Sequence, residues 1–107
     1  MPADLVYLTT RTLAEANQFD EAEQLLEDRY FPSEEGGTNV RQVYLEVRLG
    51  RARALVEQNQ CDGALAVLNG LDLPVAGMAF TDDGLDDFIA RPEIAGAVED
   101  LRRECAR

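Results

Sequence analysis

Histidine and tryptophan are absent from the 107-residue chain, and only two cysteines occur, Cys61 and Cys105. Without histidine there is no ready general base for acid–base or nucleophilic catalysis, and a zinc site would have to import ligands. The cysteines lie 44 positions apart in unlike contexts, with no CxxC partner and no nearby base to activate either thiol. The domain is therefore expected to fold without metals or disulfides, and no cofactor is expected. There is no apolar run of about 18 residues and no basic-flanked hydrophobic start, so neither a transmembrane nor a secretory reading applies. The expected location is cytoplasmic. Long Pro, Ser or Gln tracts are also missing, so no disordered half is expected.

What is present is acid and aliphatic carbon. Asp and Glu number 21 against 10 basic residues, giving a net charge of −11. A surface of that sign repels polyanions at long range, which argues against nucleic acid and anionic membranes as partners. Hydrophobic residues make up 46% of the chain and aromatics 7%, a composition suited to one domain with a Leu, Ala and Val core.

One stretch occurs twice. Asn17-Gln18-Phe19-Asp20-Glu21-Ala22 leads to Leu26, and Asn59-Gln60-Cys61-Asp62-Gly63-Ala64 leads to Leu68, at an offset of 64 − 22 = 42. Asn-Gln reads as a helix break. Asp20 with Glu23 reads as a capping box opening the next helix, and Asp62 reads as the cap of its counterpart. Cys61 stands where the first copy has Phe19, as a half-buried apolar residue would.

Around these corners the periodicity predicts an all-α chain. Asp4 caps a helix running to about residue 17; a second helix with Ala22, Leu25 and Leu26 on one stripe stops before Phe31-Pro32. Ser33 to Thr38 is a loop. A long helix opens at Thr38 or Asn39 and runs to about Gln58. It carries two apolar stripes, Leu45, Leu49, Ala52 and Val56 on one and Val40, Val43, Val47 and Ala54 on the other, as in a helix sandwiched between neighbours. A fourth helix ends at Gly70. Val75 to Phe80 is partly extended, Thr81 to Ala90 forms a short helix, and Pro92 starts a last one with Ile94, Ala97, Val98 and Leu101 on its apolar stripe.

The doubled corner resembles the tetratricopeptide repeat family, although its spacing of 42 exceeds that family's usual period of about 34. Its small and aromatic first-helix positions are poorly kept, falling on Thr10 and Leu13 and on Ala52 and Leu55. The resemblance implies a short α-solenoid: a hairpin at about 4–30, a loop at 31–38, a second hairpin at about 39–72 and capping helices over 75–107. The run Phe31-Pro32-Ser33-Glu34-Glu35-Gly36-Gly37, followed by Val40-Arg41-Gln42-Val43-Tyr44, also resembles the helical-repeat region of large bacterial proteins of undefined function. There, such repeats follow a β-rich, carbohydrate-related region. That likeness implies a fragment or shortened relative, packed against another domain.

Repeats of this family bind peptides through first-helix positions. Carried over, these are Asp4, Tyr7, Arg11, Ala14 and Glu15 in the first copy and Glu46, Leu49, Arg53, Val56 and Glu57 in the second. The competing reading is a solvated face with charge pairing along the helix. Arg41, Arg48 and Arg51, beside Tyr44, form a basic row suited to a carboxylate or phosphate, against which stands internal pairing with Glu34, Glu35 or the acidic second helix. Glu34 and Glu35 lack a second catalytic group. Asp82, Asp83, Asp86 and Asp87 fail the EF-hand spacing, since Gly84 as sixth residue would put Ala79 first and Thr81 third. The sequence thus leads to a non-catalytic interaction module with a peptide or protein partner. The alternative is a structural segment that self-associates, as a homodimer through the open end of the stack, or packs on another domain.

Overall fold

The computed structural model describes residues 3–27, 39–82 and 85–106, without the side chains of Ala3, Asp4 and Asp82. Six α-helices follow in order: α1 (Ala3–Glu15), α2 (Phe19–Gln24), α3 (Val40–Glu57), α4 (Cys61–Asn69), α5 (Leu85–Ile89) and α6 (Pro92–Cys105), with a 3-10 turn at Ala79–Asp82 before α5. No strand occurs among the described residues; a single bridge joins Val75 and Met78. The fold is all-α.

The two corners are built alike, bond for bond. Asn17 and Asn59 adopt left-handed φ of 62° and 60°. Asparagine tolerates that region better than most residues with a Cβ. The Gln18 N–H donates to Leu13 O at 2.8 Å and Asn17 N–H to Ala14 O at 3.0 Å, while Gln60 and Asn59 repeat both bonds to Leu55 and Val56 at the same distances. This is the Schellman closure, which satisfies carbonyls that the helix end leaves open. The chain then re-enters a helix at once, with Ala22 N–H on Gln18 O and Ala64 N–H on Gln60 O, both 3.0 Å.

The acidic caps are corrected. Helices α2 and α4 begin at Phe19 and Cys61, after Gln18 and Gln60, and neither N-cap makes a side-chain bond. Asp20 and Asp62 lie one residue inside, where their charge still complements the helix N-terminus. Asp4, likewise, lies within the first turn of α1. The cap of α3 is Asn39, whose side chain accepts from Arg41 N–H at 2.9 Å. The expected 81–90 helix is divided into the 3-10 turn and α5.

The long helix is sandwiched as its two stripes require. Val40, Val43, Tyr44, Leu45, Val47, Leu49, Ala52 and Ala54 are all buried, Val47 and Ala54 against Phe19 and Ala22, the others in the main core with Leu26, Leu68, Leu101 and Ile94. Ala22 and Ala64 are fully buried, as the small contact of each corner should be. Helix α6 covers α3 and α4 and runs back along α4. Its last residue thereby reaches the first residue of α4, and Cys61 and Cys105 form a disulfide with Cα atoms 5.6 Å apart. The expectation of a disulfide-free domain is therefore corrected: helix packing, invisible in sequence spacing, brings the two together.

Candidate functional site

Helices α1 and α3 pack side by side, and between the C-terminal part of α1 and the stretch of α3 from Glu46 to Glu57 lies a groove of about 340 Å³. Its lining includes Arg11, Ala14 and Glu15 from α1, Glu46, Arg53 and Glu57 from α3, and a floor of Phe19, Val47, Gly50 and Ala54. Six of the ten carried-over first-helix positions thus meet in one place. The other four do not. Tyr7 and Leu49 are buried in the core at 2% and 6% exposure, Val56 is half-buried outside the groove, and the side chain of Asp4 lies outside the described residues. Tyr7 and Leu49 are corrected from binding to packing positions: their helix face turns toward the neighbouring helix.

Charge in the groove is only partly spent. Arg11 forks onto Glu46, Nε to Oε1 at 2.9 Å and Nη2 to Oε2 at 3.1 Å, and Gln42 Nε2 adds a bond to Glu46 Oε2 at 3.4 Å. With both side chains more than a third exposed, this pair contributes at most about 1 kcal/mol; it fixes the α1–α3 register more than it stabilises. Arg53 makes no hydrogen bond or ion pair among the described residues. Glu15 and Glu57 are exposed at the ends of α1 and α3, and neither helix has a basic residue in its last turn. Two carboxylates at two negative dipole ends make the mouth electronegative. Exposed charges over an apolar floor can fix the register of a bound chain while small side chains fill the floor.

Gly50 shapes that floor and was not singled out from the sequence. A Cβ there would stand 3.1 Å from Phe19 Cε1, so a side chain would push into the ring that closes the groove from below. The repeat itself holds a further signal. Extended backwards at the same offset of 42, it pairs Arg11 with Arg53, Leu13 with Leu55 and Glu15 with Glu57, so an Arg-x-x-x-Glu element precedes each corner.

The basic row is a different structure. Glu23, 8% exposed, accepts Arg48 at 2.7 Å and Arg51 at 2.6 Å, and Arg51 also reaches Asp20 at 2.8 Å. Burial works against the Arg51 charge, but the hydrogen bonds and attraction of Asp20 and Glu23 together hold its pKa above the ordinary value. The Arg48 guanidinium lies 5.3 Å from the Tyr44 ring centroid, and that of Arg51 5.5 Å from the Phe19 ring centroid. Arg48 and Arg51 therefore clamp α3 to α2 through Glu23, the internal pairing offered as the alternative to anion binding. Arg41 instead lies at the start of α3, with Nη1 3.4 Å from Asn39 Oδ1. Burial raises the pKa of Tyr44, whose enclosed hydroxyl has no hydrogen-bond partner among the described residues; Arg48 opposes the shift and Glu23 adds to it.

The remaining acidic readings find no site. Glu34, Glu35 and Asp83 lie outside the described residues, while Asp86 and Asp87 stand exposed in the first turn of α5. Among the described residues no group of three or more Cys, Asp or Glu converges to hold a metal, and no helix is long and apolar enough to cross a membrane. A second cavity, of about 500 Å³, lies between the end of α4, α5 and α6 over Leu68, Leu71, Ile89 and Val98, and no sequence motif pointed to it. Compared with protein-family models, with curated proteins and with solved structures, the chain matches none.

Proposed function

We propose that the chain is a non-catalytic protein-interaction module, its first four helices forming two tetratricopeptide-like repeats, and that it takes a peptide or partner domain in the groove between α1 and α3. One observation carries this reading: Arg11, Glu15, Glu46, Arg53 and Glu57, expected from sequence as contact positions, line the same groove over an apolar floor. The test is selection of binding peptides from a random library, followed by amide chemical-shift mapping. Peptides that shift Arg11, Glu15, Phe19, Arg53 and Glu57, and lose at least about tenfold in affinity on Arg53→Glu with Glu57→Arg, support it. Peptides that map elsewhere, or that ignore the charge reversal, overturn it.

A second reading, self-association or packing on another domain of a larger, carbohydrate-related protein, is favoured by Leu5 and Leu8, which are 47% and 63% exposed on α1. Sedimentation that shows a homodimer lost on Leu8→Glu would select it; a monomer at high concentration would reject the homodimer. The cytoplasmic location expected from the sequence belongs to the proposal as well. It gives the disulfide a particular meaning, because cytosolic disulfides are usually transient.

A further inference from the structure

We infer that the Cys61–Cys105 bridge is a reversible redox latch that governs how firmly α6 is held on α3 and α4. The inference stands apart from the groove and rests on where the bridge lies. It ties the first residue of α4 to the last residue of α6, and both cysteines are half-buried. A surface depression lined by Asn59, Gln60, Cys61, Asp62 and Gly63 opens beside it, giving a thiol a path to Cys61.

The remaining attachment of α6 is thin. Ile94 and Leu101 are its only buried residues, Ala97 and Val98 are half-buried, and Arg102 reaches Asn69 Oδ1 at 2.8 Å. The repeat shows what the bridge replaces. At the equivalent corner Phe19 meets the following helix by non-covalent contact, beneath Gly50 and beside the Arg51 guanidinium, whereas Cys61 meets α6 through a covalent bond. A contact that is non-covalent in one copy is covalent in the other. Because α6 supplies Ala95, Val98, Glu99 and Arg102 to the cavity beside α5, loosening the latch also opens that cavity.

The chemistry is two-electron exchange with a dithiol. Its thiolate attacks Cys61 Sγ through the depression, the S–S bond breaks, and Cys105 leaves as a thiolate that takes up a proton. The dithiol's second thiol, deprotonated, then displaces Cys61 and closes the reductant into its own disulfide. Cys61 departs as a thiolate at the N-terminus of α4, where free N–H groups favour negative charge, and is protonated in turn. The protein gains two electrons and two protons; the dithiol loses them.

Amide hydrogen exchange on the whole chain, oxidised and after dithiothreitol, tests the latch. Reduction should speed exchange in α6 by about 30-fold or more and leave α1 much less affected, as for a unit that opens locally. Reoxidation should restore protection, and the Cys61→Ser, Cys105→Ser double variant should match the reduced protein and ignore the dithiol. Equal acceleration of α1, α3 and α6 would show a global staple and overturn the latch, as would unchanged α6 exchange. A bridge that stays oxidised in every reducing glutathione buffer would overturn it too.

Discussion

Replacing Glu23 by Gln removes one charge from the centre of the clamp between α2 and α3 and leaves two arginines facing a neutral amide. The Glu23 side chain is 10% exposed and the arginine side chains 24% and 27%, with contacts of 2.7 and 2.6 Å. Breaking a buried pair by removing one partner costs about 3 to 5 kcal/mol. Here the arginines keep some water and Arg51 keeps Asp20, so a loss of roughly 2 to 3 kcal/mol is expected. For a domain of this size that is about 10 to 20 °C in Tm. Urea unfolding should give a lowered midpoint with the same m-value. A second comparison isolates the cause: with Arg48→Met and Arg51→Met already present, Glu23→Gln should cost much less, because the positive charges it neutralises are gone. If the single variant loses under about 0.5 kcal/mol, or loses as much in the Met background, Glu23 is a bystander and the account of how α2 is held is wrong.

Three further outcomes follow from the same contacts. Tyr44, with its pKa raised by burial, should ionise above the ordinary tyrosine value in an ultraviolet titration, and Tyr44→Phe should remove that late step. Because the folded pKa lies above the unfolded one, its contribution to stability is intact below about pH 10 and is lost as pH rises through the folded value, and Tyr44→Phe should flatten that fall. Gly50→Leu should displace the Phe19 ring at a cost of about 1 to 3 kcal/mol and narrow the groove, whereas unchanged urea stability would mean the ring has room to move. At the left-handed corners, Asn17→Ala and Asn59→Ala should each cost about 1 kcal/mol while Asn→Gly at the same sites costs little, and equal loss for both substitutions would place the strain elsewhere.

Helix periodicity made the all-α class and the double burial of α3 legible, because a helix with two apolar stripes has no other way to satisfy them. The corners were legible as breaks but not as caps. Asp20 and Asp62 are good N-cap residues in isolation, yet the Schellman closure at Asn17 and Asn59 puts the next N-cap two residues earlier, at Gln18 and Gln60. Propensity yields there to backbone hydrogen bonding. The groove was half legible. Its charged walls were named, but Tyr7 and Leu49 turn inward, and Gly50 acts through a missing side chain that only packing reveals. The disulfide was not legible at all, since it depends on the path of α6 back along α4. The identities of Arg11 with Arg53 and of Glu15 with Glu57 were legible in the sequence, among the first-helix positions of the two copies.

The bridge also changes the topology of the molecule. It closes residues 61 to 105 into a covalent ring that contains α4, α5 and α6, with the first three helices as a tail attached at one end. A single backbone cut anywhere inside that ring leaves both fragments on one molecule, so the ring half survives a nick that would divide the tail half. Unequal tolerance of damage is thus built into two halves that share the same corner.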